Sequence, residues 1–289
     1  MIDRTISRIS GVHALTLDIE EYFHAHALCR WYPPESWTRL ESRVVDNTAR
    51  LLDLLAEAGA HATCFVLGWV AERAPVLVRR IVAEGHELAS HGYGHAPVWA
   101  VDRAAFRADL RRAKAILEDV SGVAVRGYRA PSFSLDPADR RSYAVLAEVG
   151  YTYSSSVHPV KLSTYASAQG PIRPRTVEGV FEIPVGTLPA GPFGNLPWAG
   201  GAWFRLLPER WTRWALARLV ERGEGPVVFY LHPWEIDPDQ PRPPRLDPAT
   251  WLRHYGGLRR VESRLRRLLR LTRWDRLDRA YPDLAAPAR

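Results

Sequence analysis

Short apolar runs alternate with amphipathic stretches along most of this 289-residue chain, and that alternation constrains the fold more than any other feature. A short run bounded by turn residues reads as a buried strand, whereas apolar residues three and four apart read as a helix lying on a core. Strands are expected at residues 13–19, 62–67, 87–90, 125–129, 151–155, 182–185 and 227–231, and helices at 47–58, 75–84, 102–122, 137–149 and 209–222. The first helix puts Leu51, Leu52, Leu55 and Ala58 on one face and stops at Gly59; the third is capped by Asp102 and ended by Gly122. Such alternation favours an α/β fold with a parallel sheet, closed as a barrel or doubly wound.

Two regions break the rhythm. Residues 186–202 are rich in Gly, Pro and Trp and read as a long loop. Residues 233–248 are proline-rich, and beyond them Leu258, Val261, Leu265, Leu268 and Leu269 form an apolar stripe among arginines. The expected division is one barrel over residues 1–235 and a C-terminal extension over 236–289, packed on the barrel rather than folded independently. With 46% hydrophobic and 25% charged residues, disorder and a small disulfide scaffold are excluded. Cys29 and Cys64 lie in no metal or redox motif and read as buried free thiols. Met1 to Ser10 lacks a signal-peptide core and no segment has the length of a membrane span, so a cytoplasmic location is expected. A net charge of +7 is modest for this length; with no helix-turn-helix, zinc-finger or phosphate-cradling pattern, no nucleic-acid partner is expected.

Functional groups in such folds collect where strands end, and four expected strands end in them. They are Asp18-Ile19-Glu20-Glu21, His91-Gly92-Tyr93-Gly94-His95, Arg129-Ala130-Pro131 and His232-Pro233-Trp234-Glu235. Gly92 and Gly94 disfavour a helix, so His91 and His95 sit on a turn that can curl both imidazoles around one point. A carboxylate would complete a two-histidine site for a divalent ion; a purely structural pair is the plain alternative. Asp18 and Glu20 alternate on a strand, so one can bind metal while the other takes a proton. Acidic residues that merely cap a helix would look the same.

Together with Arg129-Ala130-Pro131-Ser132-Phe133-Ser134, His232-Pro233-Trp234-Glu235-Ile236-Asp237-Pro238 and the later Arg253-His254-Tyr255, these runs resemble the polysaccharide deacetylases with a NodB-homology domain. The likeness, to the branch associated with exosortase and exopolysaccharide loci, extends from about residue 12 to about residue 270. It implies a distorted (β/α)7-type barrel and a metal-dependent hydrolase of N-acetylated sugars. Carried over by motif, Asp18 is the general base, Glu20, His91 and His95 are metal ligands, and Arg129 orients Asp18. His232 is the general acid, and the backbone near Ser132 helps hold the oxyanion. Pro131, His24 and Trp234 are further candidates for contact with substrate. Zn²⁺ is the first expectation, with Co²⁺ and Ni²⁺ also suited to such ligands.

Amide hydrolysis needs an activated water, a polarised carbonyl and a proton for the departing amine, and this set supplies all three. Two departures stand out. Ile19 separates Asp18 from Glu20 where the family usually has adjacent aspartates, which leaves Glu21 as a second candidate ligand. The stretch Tyr153-Ser154-Ser155-Ser156 lacks the aspartate that commonly tunes the catalytic histidine, so the partner of His232 is unassigned.

Trp198, Trp203 and Trp234 offer rings for stacking on sugars or for packing. His26 reads as a residue that reaches the cleft or as a plain surface residue, and His254 and Tyr255 as packing groups or as a cover over the site. The arginines of 259–273 form a solvated face or a contact with anionic membrane lipid. The expected partner is an N-acetylated glycan, lipid-linked in the version that fits a cytoplasmic enzyme. The competing readings are a metal-independent amidase of cyclic ureides or imides, and an inactive carbohydrate-binding member of an envelope-assembly system.

Overall fold

Alternating side-chain direction along β1 (Val12–Ile19), a strand buried from His13 onward, sets the architecture. Leu15, Leu17 and Ile19 point outward into the main core, where they meet helices, while Ala14, Thr16 and Asp18 point the other way. The computed structural model describes residues 9–160, 170–198 and 200–285, so most of the stretch from Met1 to Ser10 lies outside the described residues. From β1 the chain passes through α1 (Val44–Ala58), β2 (Thr63–Val66), α2 (Gly68–Arg73), α3 (Pro75–Ala83), β3 (Glu87–Ser90), α4 (Arg103–Ser121) and β4 (Gly127–Tyr128). It continues through α5 (Arg140–Val149), β5 (Tyr153–Ser154), β6 (Arg175–Val177), β7 (Val180–Glu182), β8 (Thr187–Pro189) and β9 (Asn195–Pro197). Then come α6 (Gly201–Leu206), α7 (Glu209–Glu221), β10 (Val228–Leu231), α8 (Pro248–Tyr255), α9 (Val261–Leu269), β11 (Arg273–Asp275) and α10 (Leu277–Ala280).

Seven parallel strands follow one another in the order β10-β1-β2-β3-β4-β5-β7, with β6 antiparallel at the β7 edge. The two ends of this ladder approach each other where the Gly186 N–H meets Val228 O at 3.4 Å, a long and isolated contact. The expected α/β architecture is present, in a sheet curled toward a barrel without a continuous closing ladder. Gly127 in β4 is required by the interior, because a Cβ there would lie 2.2 Å from the Tyr153 ring.

Local signals placed most elements well, and the differences have identifiable causes. The helix expected from Pro137 starts at Arg140, because Asp139 caps it by accepting from the Ser142 N–H and hydroxyl. The expected loop at 186–202 contains the β8–β9 hairpin and the first two residues of α6. Helix α2 is too short to show a period. Cys64 is buried as expected, but Cys29 is exposed.

The tail is threaded into the fold. Strand β11 pairs with the first residues of β1. Helix α10 places Leu277 and Ala280, followed by Tyr281, against an inner apolar layer of Ala14, Phe65, Ala89, Tyr153, Ile183 and Val228. The strands' N-terminal end is therefore plugged by residues from the far end of the chain. The apolar stripe of α9 packs Val261, Leu265, Leu268 and Leu269 into the main core. Its arginines are partly engaged: Arg266 pairs with Glu57 and Glu262, Arg267 with Glu209, and Arg264 donates to Arg205 O and Leu207 O.

Candidate metal and acid–base site

The inward-facing stripe of β1 changes character as it rises, from Ala14 in the apolar layer through Thr16 to Asp18, with Glu20 one step beyond the strand. Strand β10 does the same with Val228, Tyr230 and His232. Alternation thus delivers these side chains, with His91 after β3 and Arg129 after β4, to one end of the barrel. Asp18, Glu20, His91, Tyr230 and His232 line a cleft of about 280 Å³ together with His95, Ser132, His158 and Trp203, while Arg129 is buried behind Asp18.

Glu20 and the two histidines converge. Glu20 Oε2 lies 2.7 Å from His95 Nε2 and 3.8 Å from His91 Nε2, and the three donor atoms fall within 4.8 Å of one another. His91 Nδ1 is 2.8 Å from Arg129 O, a carbonyl that can only accept, so the proton sits on Nδ1 and the Nε2 lone pair faces Glu20. Burial lowers the His91 pKa to about 4, keeping the ring neutral at ordinary pH. Burial opposes charge on Glu20 too, yet His95, His232 and His91 hold its carboxyl well below the usual range. Although Glu20 Oε2 is buried, it accepts no well-aligned hydrogen bond. An orphaned carboxylate oxygen facing two imidazoles fits a divalent cation.

The turn carrying the histidines is held in shape by Asp109 of α4, which accepts from the N–H groups of Tyr93 (2.9 Å) and Gly94 (3.2 Å). Gly92 has φ +76°, and a Cβ there would meet the Asp109 carboxylate at 2.9 Å, so this position needs glycine. His95, Ser132 and Phe133, all lining the cleft, have φ between 50° and 56°, a conformation costly for residues with a side chain.

Glu21 turns away. It accepts from the Ser42 hydroxyl and from the Arg43 N–H at 3.0 Å, anchoring the entry to α1. Of the two candidate carboxylates, Glu20 is therefore the one beside the histidines.

Arg129 is wholly buried and makes four hydrogen bonds. It donates to Asp18 Oδ1 (2.7 Å), Thr16 Oγ1 (2.8 Å), Ser155 O (2.8 Å) and Ser155 Oγ (2.9 Å), and its guanidinium lies over the Phe65 ring at 4.2 Å. Asp18 Oδ2 remains directed into the site, 3.8 Å from His232 Nε2.

His232 does have a carboxylate partner. Its Nδ1 lies 2.8 Å from Glu235 Oε1, three residues on, and Glu235 Oε2 is held at 2.7 Å by Arg205 of α6. Arg205 is buried, and its remaining N–H groups go to the carbonyls of Arg253, His254 and Gly256. Burial works against the imidazolium, but the Glu235 hydrogen bond and the Glu20, Glu235 and Asp18 carboxylates outweigh it, raising the His232 pKa to about 9. Glu235 stands inside the quoted His-Pro-Trp-Glu run, so the sequence contained this partner. Arg205 carried no local signal.

Other candidates are relocated. Trp234 lines the cleft, but its faces are stacked on His232 (4.8 Å between centroids) and His254 (4.4 Å), so neither is open to a sugar. His24 is buried behind the site, its ring stacked 6.0 Å from His95 with Nδ1 accepting from the Glu21 N–H, and it does not line the cleft. Pro131 is buried and does not line it either, whereas Ser132 does. Trp198 is fully buried, leaving Trp203 as the partly exposed tryptophan on the cleft wall. His26, for which the sequence left cleft and surface open, lines the cleft.

Residues 38–154 match the family model described as polysaccharide deacetylase. Over this stretch the chain is similar to the polysaccharide deacetylase family. Residues 155–282 match a second model, described only as a domain of unknown function (DUF3473). A chitooligosaccharide deacetylase of Rhizobium leguminosarum bv. trifolii is 40% identical over 83 residues, 28% of this chain and 39% of the relative. A peptidoglycan-N-acetylglucosamine deacetylase of Bacillus cereus is 34% identical over 87 residues, 30% of this chain and 32% of the relative. The chain thus spans about a third of the length of the curated relatives it matches. Among solved structures, one from Mycobacterium smegmatis described as a polysaccharide deacetylase aligns with TM-score 0.61 at 21% identity, covering 98% of this chain and 96% of that one. A Puue allantoinase aligns with TM-score 0.55 at 17% identity, over 98% and 97%. At these identities the likeness is one of fold.

Proposed function

We propose that this chain is a metal-dependent N-deacetylase of N-acetylated amino sugars within a glycan. The observation that carries the reading is the convergence of Glu20, His91 and His95 between an Asp18–Arg129 pair and a His232–Glu235 pair in one cleft. The deacetylase names of the relatives support the substrate class. Glu20, His91 and His95 are the ligands in this reading, and Zn²⁺, Co²⁺ and Ni²⁺ all suit them. A divalent ion so held lowers the pKa of water toward about 7 and polarises the acetyl carbonyl.

The chain's own residues divide the remaining work. Asp18, fixed by Arg129 through Oδ1, accepts the proton of the attacking water at Oδ2. In the turn after β4, the N–H groups of Phe133 and Ser134 are spent on Ala130 O and Pro131 O, which leaves the Ser132 amide as the donor available for the oxyanion. His232 Nε2 then gives its proton to the amine nitrogen as the C–N bond breaks, releasing acetate and a free amino sugar. Glu235 and Arg205 keep the imidazole oriented and protonated for that step.

Leu206 and Arg253 line the cleft, Leu252 is exposed and meets Leu206 at Gly256, and Trp251, its neighbour in the chain, is exposed too. These side chains support a glycan carried on a lipid phosphate, with the mouth against an anionic membrane surface. In vesicle sedimentation, Trp251→Ser/Leu252→Ser is expected to lose binding while still cleaving soluble oligomers; wild type that ignores anionic vesicles removes this refinement.

The decisive experiment measures acetate release from N-acetylglucosamine oligomers by protein stripped with chelator and reloaded with Zn²⁺ or Co²⁺. Release that needs metal and disappears in Asp18→Asn and His91→Ala is expected. Full release by the stripped protein would exclude the metal dependence but keep the deacetylase, whereas no release and no bound metal would restore the ureide or imide amidase.

A further inference from the structure

The geometry points to Trp234 as the residue that positions Glu20 toward the metal, an assignment that rests on the metal reading above. A carboxylate has two equivalent oxygens, and rotation about its last side-chain bond exchanges them. A ligand that must present one oxygen to two imidazoles gains affinity if the other oxygen is already held. Trp234 supplies that hold: its indole N–H donates to Glu20 Oε1 at 3.0 Å, leaving Oε2 beside His95 and His91. Glu20 and Trp234 are both buried, so the bond is shielded from competition with water.

The indole is itself fixed from both sides. His232 lies against one face at an interplanar angle of 20°, and His254 against the other at 16°. His254 is held in turn: its Nε2 lies 2.9 Å from Gln240 Oε1, and Gln240 donates its amide N–H groups to Trp234 O and Asp237 O. The Gln240 amide thereby fixes the Trp234 backbone directly and its ring through His254. Within four residues of one turn, Trp234 thus holds the metal carboxylate and Glu235 holds the acid histidine.

Trp234, Gln240 and His254, like His232 and Glu235, fall in the stretch matching the domain of unknown function. The proposal gives that stretch a role in metal affinity, beyond supplying the general acid.

Zinc affinity provides a test independent of turnover, measured by chelator competition on the full-length protein. Trp234→Phe keeps a ring between the two histidines and removes only the N–H; it is expected to weaken Zn²⁺ binding by about 10–100-fold. His254→Ala keeps the N–H and removes one stacking ring, and is expected to lose clearly less affinity than Trp234→Phe. Thermal melting of both metal-free variants, expected close to wild type, separates weak binding from misfolding. Unchanged zinc affinity in Trp234→Phe, or an equal loss in His254→Ala, would overturn the assignment while leaving the deacetylase reading intact. Wild-type protein that takes up no zinc, cobalt or nickel would overturn both.

Discussion

The two ends of the barrel are built from the same strands and do opposite things. At the N-terminal end, Ala14, Phe65, Ala89 and Val228 form a packed apolar layer closed by Leu277, Ala280 and Tyr281. At the C-terminal end, the same inward stripes of β1 and β10 carry Asp18, Glu20 and His232, which converge without filling the space between them. Burial favours folding at the first end. At the second it brings charged and polar groups together, at a cost that the rest of the core offsets. Stability and chemistry are thus separated by about the length of one strand.

Substitutions at the two ends should therefore dissociate. The largest effect is expected at the top: His91→Ala or Asp18→Asn should lower the deacetylation rate by on the order of 10²–10⁴ with little change in melting temperature. A parallel collapse in stability would mean that these groups serve mainly as structure. At the bottom, Leu277→Ala should cost about 2–5 kcal/mol in denaturant unfolding and leave kcat unchanged under conditions where the protein stays folded. A kcat that fell with the plug would show the two ends to be coupled.

A finer division concerns pH. With His232 raised to about 9, its proton is present below that pH and lost above it, so activity should fall on the alkaline side near pH 9. Glu235→Gln removes a stabilising carboxylate, and the alkaline limb in a pH–rate profile should move downward. An unmoved limb would deny Glu235 its tuning role.

At the other end, burial and the neighbouring Asp278 raise the Glu87 carboxyl to about 7. Its neutral form is favoured by folding, so its contribution to stability is complete below the usual carboxylate range. That contribution is lost as pH rises through about 7. Glu87→Gln should flatten this part of the stability–pH curve, the smallest of the four effects, and leave the activity profile alone.

Much of this molecule was legible in the order of its residues. Asp102 and Gly122 bound α4 as expected, and Glu87–Ser90 is the strand expected there, because caps and short apolar runs act within a few positions. The same locality put Asp18, Glu20, His91, His95, Arg129 and His232 at strand ends, and so on one face of a parallel fold. The sequence left Glu20 and Glu21 as alternatives, since both follow the strand. The choice came from Ser42 and Arg43, which bind Glu21, and from the histidines that meet Glu20.

Tertiary structure alone decided which groups complete the site. Trp234 reaches Glu20 across 214 positions, and Arg205 holds Glu235 across 30. A tryptophan that appeared suited to a sugar became a support for a carboxylate because two histidines cover its faces. The tail expected to pack on the barrel packs α9 against the main core and also closes the interior with α10. Periodicity and capping report what each segment can become, since they arise from neighbours along the chain. Which buried groups satisfy one another depends on the folded arrangement that brings distant segments into contact.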